Sequence, residues 1–320
     1  MAMEPNLQIE NLNVSYLARG LRVQAVREFS LNLRENESVG LLGESGAGKS
    51  TVGWALLGMI GKQNVVTGEI NFQGKNILKM TKRELNAYRW RDASMIFQAS
   101  LNTLDPLITV GQNFVDLLTN KKTCANKREA RELAWDTMKL LGLQESIMDA
   151  YPHQLSGGMK QRVAIAMAIS TNPKILVADE PTTALDTITQ ASILRLMKAL
   201  REQKKIRSIL FVSHDITVHA YMTDRLVVMY RGRVIEEGST KEIITNPLHP
   251  YTKLLLSSER IGGQKEGVRA GASADDVAPP EGCPYVPFCP YAMKSCSESF
   301  PKATTMAQDH RVSCFLYDAK

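Results

Sequence analysis

Aromatic side chains are scarce, 6% of 320 residues. Lys and Arg form no long run with interleaved aromatics, the pattern of a nucleic-acid groove, so no nucleic-acid partner is expected. Heptads are not sustained anywhere, which excludes a long coiled coil. No stretch approaches about eighteen consecutive apolar residues, so no membrane-spanning helix is expected. Met1 to Glu10 lacks the basic flank and apolar stretch of a signal peptide, which points to the cytosol, at most against a membrane. There is no internal repeat. Cysteine is absent before Cys124, which stands alone; the other four follow Pro280. The net charge is +6 with a pI near 9.0, in the range of ordinary solubility.

Apolar residues make up 44% of the chain, enough for one large domain or two. The most informative stretch is Gly43-Glu44-Ser45-Gly46-Ala47-Gly48-Lys49-Ser50-Thr51, which fits G-x-x-x-x-G-K-[ST]. The apolar run Val39 to Leu42 precedes it as a buried strand, and Thr51 to Leu57 follows as the start of a helix. The glycines let backbone N–H groups turn inward around phosphate oxygens, and the helix N-terminus adds partial positive charge. Lys49 is placed to reach the β- and γ-phosphates, and the Ser50 hydroxyl to ligate Mg²⁺.

Strands are expected at Leu7–Tyr16, whose alternation slips once, and at Val23–Leu33. Tyr16 ends the first strand ahead of the loop, where its ring can stack on an adenine base or simply lie half exposed. Short strands are expected at Gly68–Phe72 and Ser94–Phe97, with a helix over Thr81–Arg89 opened by a Thr81/Glu84 capping box. Gln98 leaves the second of these strands, positioned to reach a metal ion or a water. From Leu101 to Leu155 the spacing turns helical (Val110–Leu118, Lys127–Leu141, with Gly142 as the stop), which indicates an inserted helical subdomain.

Ser156-Gly157-Gly158 opens a further helix to Ser170, with Ser156 as N-cap and bared backbone at its positive end: a second anion site. Ile175 to Ala178 is a buried strand ending in Asp179-Glu180. In a phosphate-loop protein the first acid holds Mg²⁺ and the second is placed to activate water. Ser208 to Val212 is another buried strand, closed by His214, in reach of a γ-phosphate. Arg225–Tyr230 and Val234–Glu237 form a hairpin around Arg231-Gly232-Arg233, followed by short helices at Lys241–Thr245 and Tyr251–Ser257. Ile261 to Pro280 has a linker composition.

The tail carries Cys283-x5-Cys289-x6-Cys296-x17-Cys314. It has too few apolar residues for a core of its own, so a crosslink is expected. In a reducing compartment metal is favoured over disulfide. Structural zinc usually takes closely spaced pairs, and an iron–sulfur cube tolerates wider gaps. Both metals remain open on spacing.

Together these motifs resemble the ATP-binding subunits of ABC transporters over Leu7 to about Ser257. The correspondence comprises Gly43–Thr51 (Walker A), Gln98 (Q-loop), Leu155-Ser156-Gly157-Gly158-Met159 (signature), Ile175–Glu180 (Walker B), Ala184-Leu185-Asp186 (D-loop) and His214 (switch histidine). Met159 stands where many members have glutamine. The resemblance implies an α/β P-loop NTPase fold with a mixed sheet. Residues 1–257 would be the ATPase domain, with a helical subdomain at about 99–170. Residues 258–282 would be a linker and 283–320 a small Cys-rich extension. It implies ATP and Mg²⁺ as ligands, the latter on Ser50, Gln98 and Asp179. It also implies head-to-tail pairing with a second ATPase subunit, each ATP lying between one Walker A and the other's signature. Two transmembrane permease subunits would complete the complex on the cytoplasmic face of the membrane. Asn246-Pro247-Leu248-His249-Pro250-Tyr251-Thr252 and the four cysteines resemble the dipeptide, oligopeptide and nickel importer branch, whose archaeal members also carry oligosaccharides. That branch implies a paralogous partner ATPase, an extracellular substrate-binding protein and a 4Fe–4S cluster on Cys283, Cys289, Cys296 and Cys314, with zinc as the alternative. A soluble ABC-type ATPase acting on DNA or chromosomes is the rival reading.

Overall fold

The computed structural model describes residues 6–18, 20–98, 103–183, 185–260, 281–307 and 309–318. The expected linker at 261–280, the start of the helical subdomain at 99–102 and Ala184 lie outside the described residues. β1 (Leu7–Ala18) and β2 (Leu21–Leu33) pair antiparallel. The slip in the alternation of β1 is a bulge: Asn11 has φ 48° and the register shifts between Ile9 and Leu12. The extra residue re-phases the pleat, so Leu7, Ile9, Leu12 and Val14 are all buried. β1 runs two residues past Tyr16, so that residue does not end the strand as expected.

β3 (Ser38–Leu42) leads into the glycine loop and α1 (Lys49–Leu56) leads out. β4 (Val65–Phe72) and β5 (Lys75–Asn76) complete a four-stranded antiparallel sheet in the order β2-β1-β4-β5. α2 (Lys82–Tyr88) opens with the expected capping box, Thr81 and Glu84 each accepting the other's backbone N–H. β6 (Ala93–Ile96) follows, then α3 (Val110–Asn120), α4 (Lys127–Leu140) and α5 (Gly157–Ser170). Next come β7 (Ile175–Asp179), α6 (Thr187–Glu202), β8 (Ser208–Ser213), α7 (Ile216–Met222) and the hairpin of β9 (Arg225–Tyr230) and β10 (Arg233–Ser239). α8 (Thr240–Thr245), α9 (Pro250–Arg260), α10 (Lys294–Glu298), β11 (Thr304–Ala307) and β12 (His310–Val312) end the chain.

The second sheet has eight strands in the order β11-β12-β10-β9-β3-β8-β7-β6. From β9 to β6 the pairs are parallel; β10, β12 and β11 add antiparallel. The sheet is therefore mixed, as expected. Its central strands are buried throughout, which explains their continuous apolar runs. Val52, Ala55 and Leu56 of α1 share one core with Leu7, Phe29 and Ile70 of the small sheet and with Val39, Val177 and Leu210 of the large one. α1 is thus held between the two sheets. The opposite face of the large sheet gives Leu176, Ala178 and Phe211 to a core shared with Phe114 of α3, Met138 of α4, Val163 of α5 and Met197 of α6. The helical insertion is continuous with the sheet through that core. Among the described residues no helix is long and apolar enough to cross a membrane.

The tail, too poor in apolar residues for a core of its own, packs on the edge of the large sheet. β12 pairs with β10, Glu236 opposite Val312, and extends the sheet. Cys283 and Tyr285 are buried against Leu226, Val228, Tyr230 and Tyr251. One carboxylate ties this edge together. Glu236, 1% exposed, accepts from the Leu248 N–H (2.8 Å), the His249 N–H (2.9 Å) and His310 Nε2 (2.9 Å). Glu236→Ala strands three buried donors, so chemical denaturation should show a loss of about 3 kcal/mol or more. Protease should then release the tail fragment faster than from the wild type.

Candidate functional site

The C-terminal ends of β3, β6, β7 and β8 open on one rim, where ligands of open α/β sheets bind. The glycine loop follows β3. Gly48 adopts φ 97°, and a Cβ there would lie 2.3 Å from the Ala25 carbonyl oxygen, so only glycine fits. Ser45 and Gly46 are exposed at the tip of the loop, and Gly46 takes φ 80°. Lys49, 5% exposed, folds back to donate to the carbonyls of Gly43 and Glu44, both at 2.7 Å. Burial lowers its pKa, against the opposing pull of the Glu180 and Asp179 charges. Tyr16 donates its hydroxyl to Thr51 Oγ1 at 3.3 Å, so the ring sits at the start of α1.

Ser50 Oγ donates to Asp179 Oδ1 at 2.8 Å. A hydroxyl and a carboxylate side by side form a hard oxygen pair suited to Mg²⁺. Burial pushes the Asp179 carboxyl above its ordinary range, the Ser50 bond pulls it down, and the neighbouring Glu180 charge pushes it up again.

Glu180 is the point where the rim converges. Its backbone has φ 45°, a strained conformation for a non-glycine residue, and its N–H is anchored on Val212 O at 2.9 Å. Gln98 Nε2 and Thr183 Oγ1 both donate to Glu180 Oε2 at 2.9 Å. His214 Nδ1 lies 3.1 Å from Oε1. Burial raises the Glu180 pKa, but the bonds from His214 and Thr183 outweigh it, and the carboxyl ends below its ordinary range. The group is therefore a carboxylate at neutral pH, pre-positioned by three donors. Thr183 was not a candidate on sequence. Its signal is a hydroxyl three residues after the acid, in a turn closed by the Thr183 N–H on Glu180 O at 3.2 Å.

The signature residues lie elsewhere. Ser156 Oγ caps α5 by accepting from the Met159 N–H at 3.3 Å. A Cβ on Gly158 would lie 2.8 Å from Thr189 Cγ2 of α6. Asp186 caps α6 through the Thr189 N–H at 3.0 Å. Among the described residues, Ser156 and Gly158 make no hydrogen bond to the glycine loop.

Cys283, Cys289, Cys296 and Cys314 line one small cavity with His249 and Phe315. Burial raises the Cys283 thiol to about 11. Among the described residues no group of three or more His, Cys, Asp or Glu side chains is drawn together as one metal ion requires. Cys124 is buried in the core of the helical insertion, far in sequence from the other four.

A phosphate loop, a serine–aspartate oxygen pair and a gathered glutamate define a P-loop nucleoside triphosphatase. The ABC transporter family profile matches residues 26–183, and that of the oligopeptide/dipeptide transporter C-terminal region matches residues 235–296. The dipeptide transport ATP-binding protein DppD of Bacillus subtilis is 38% identical over 99% of this chain and 96% of its own length. The oligopeptide transport ATP-binding protein OppD of Escherichia coli (strain K12) is 37% identical over 92% of this chain and 88% of its own. A solved dimer of the ATP-binding cassette MJ0796, bound to ADP and Pi, covers 73% of this chain and 98% of its own with TM-score 0.63 and 32% identity. The chain belongs to the ATP-binding subunits of ABC transporters that carry the oligopeptide/dipeptide C-terminal region, and its activity is ATP hydrolysis.

Behind the rim, His219 of α7 is fully buried, with Nε2 donating to Ser213 O at 3.1 Å and the ring edge-on to Phe211. Burial pushes its pKa down from 6.5 to about 4. The unfolded chain takes up this proton near pH 6.5 and the native state only near 4. Stability therefore falls as pH drops through that window, by about 2 kcal/mol from pH 7 to 5. Urea unfolding at the two pH values should show this loss, and His219→Gln should reduce the pH dependence by the same amount.

Proposed function

We propose that this chain is one of two ATPase subunits that power peptide import through an ABC transporter. The observation that carries the reading is the gathering of Gln98, Thr183 and His214 on Glu180 beside Lys49, Ser50 and Asp179. The peptide cargo rests on the dipeptide and oligopeptide transport relatives. Nickel complexes and oligosaccharides are the other cargoes this branch suggests.

In this reading the backbone of Gly43, Ser45, Gly46 and Gly48 cradles the phosphates, with Thr51 behind them and Tyr16 against the adenine. Lys49 holds the β- and γ-phosphates. Ser50, Gln98 and Asp179 hold Mg²⁺, which when bound neutralises charge on the phosphoryl oxygens. Glu180 takes the proton of the attacking water, and His214 keeps that carboxylate aimed while touching the γ-phosphate. Ser156, Gly157, Gly158 and Asp186 serve the ATP of the partner subunit: Ser156 and Asp186 cap the helices α5 and α6, and the two glycines open α5 with bare backbone. The partner is a paralogous ATPase. Two permeases and an extracellular binding protein complete the system, with this subunit at the cytoplasmic face. Residues 1–257 act as the ATPase unit, 258–282 as a linker and 283–320 as the extension.

Glu180→Gln should keep ATP binding and lower turnover on the order of 10²-fold or more. In the assembled transporter the matching change in the partner removes any residual rate. Unchanged turnover in that double variant refutes the assignment.

For the tail we read the four thiols around one cavity as ligands of a 4Fe–4S cluster with a structural or sensory role. Structural zinc usually takes closely spaced cysteine pairs, and the gaps of five, six and seventeen residues here are wider. Anaerobically purified protein should be brown with four irons per chain, and Cys289→Ser should lose both. Colourless protein with one zinc would leave the four ligands and overturn the cluster.

A further inference from the structure

The glycine loop has a second anchor besides Lys49. The Glu44 N–H donates to Tyr251 Oη at 3.2 Å, across 207 positions of sequence. The same peptide unit presents the Gly43 carbonyl to Lys49 Nζ at 2.7 Å. One peptide plane is therefore held at both ends, its N–H by Tyr251 and its C=O by Lys49. The plane sits next to Gly43, at φ 157°, where the missing Cβ leaves little steric resistance to rotation. Each of the two bonds matters to the shape of the loop for that reason. The orientation of this peptide also sets where the Lys49 ammonium rests, since Nζ bonds the Glu44 carbonyl as well, at 2.7 Å.

Tyr251 is fixed in turn. It is 1% exposed. Its ring lies 4.6 Å from that of Tyr230 on β9 and 5.5 Å from that of Tyr285 in the tail, and Tyr230 meets Tyr285 edge-on at 5.4 Å. Its own N–H donates to His249 Nδ1 at 3.1 Å, and His249 lines the cysteine cavity. Tyr285 stands two residues after Cys283. A packed aromatic trio thus leads from the tail to a hydroxyl on the loop. Aromatic pairs of this kind each contribute beyond their buried area, which makes the position of the Tyr251 hydroxyl depend on the docked tail.

We propose that Tyr251 is a positioning residue for phosphate binding, its hydroxyl setting the Gly43–Glu44 peptide, and that Tyr285 of the tail holds Tyr251 in place. The proposal rests on the reading of the glycine loop as the ATP site. Its consequence is that tail packing tunes nucleotide affinity rather than the chemical step.

The test uses the full chain, Mg²⁺ and a fluorescent non-hydrolysable ATP analogue, with turnover followed in the assembled transporter. Tyr251→Phe keeps the ring and removes only the acceptor. It should weaken analogue binding about three- to tenfold, the worth of one ordinary hydrogen bond. KM for ATP should rise by the same factor, with kcat unchanged within about twofold. Tyr285→Ala should weaken binding to a similar extent, and Tyr285→Phe, which restores the ring, should recover most of it. Wild-type affinity in Tyr251→Phe overturns the proposal, as does a lower melting temperature with no change in affinity. Lys49→Ala separates the two readings. If it abolishes binding while Tyr251→Phe does not weaken it, the ATP site stands and the positioning role falls. If Lys49→Ala leaves binding intact, the ATP-site reading fails and the positioning role with it.

Discussion

The register of four parallel strands is the constraint on which the site depends. Leu42 of β3 pairs with Ser213 of β8, Asp179 of β7 with Val212 of β8, and Ile96 of β6 with Ala178 of β7. These pairings end the strands at nearly one level, so the glycine loop, Gln98, Glu180 and His214 all leave the sheet at the same rim. A parallel ladder cannot slip by one residue here, because every side chain on both faces is buried and would be turned to the wrong core. The two packed faces thus specify the geometry of the polar rim, and the buried Ser94 hydroxyl between them donates to the Ala168 carbonyl.

On that rim, two adjacent carboxylates are driven in opposite directions. Asp179 is pushed above its ordinary range by burial, with Ser50 as its one side-chain donor among the described residues. Burial also raises Glu180, but the bonds from His214 and Thr183 outweigh it, and the carboxyl ends below its range. Separation of neighbouring acids by environment is a common means of giving them separate chemical tasks. The left-handed backbone at Glu180 contributes to it. By turning the chain sharply at the end of β7, it leaves Asp179 facing Ser50 and swings the next side chain toward β6 and β8. A cation binding beside Asp179 would be met by a site whose lysine is already desolvated and held on the loop's own carbonyls.

The tail shows how a segment with few apolar residues becomes ordered without a core. It adds two short strands to the edge of the sheet, places Cys283 and Tyr285 against β9 and α9, and closes the seam with Glu236. Burying a carboxylate is costly unless its acceptors are filled, and here two backbone N–H groups and His310 fill them. The edge strand β10, which would otherwise offer unpaired backbone groups, is covered as a result.

By itself the sequence determined the elements whose signal is local. The glycine loop, the buried strands read at Ile175–Ala178 and Ser208–Val212, the Thr81/Glu84 capping box and even the slip in the first strand follow from spacing over a few residues. Six ordered motifs were enough to place Lys49, Ser50, Asp179, Glu180, Gln98 and His214 as candidates. Only the tertiary structure decided which of these touch. The convergence of Gln98, Thr183 and His214 on one carboxylate spans residues 98 to 214 and is set by strand register, which no short window contains. The same holds for the tail. Its short strands lack the length for a periodic signal, and their pairing with β10 and the reach of Tyr251 to Glu44 are long-range contacts. Hydrophobic periodicity reports what one element needs to bury, and only the folded chain determines which partner it is buried against.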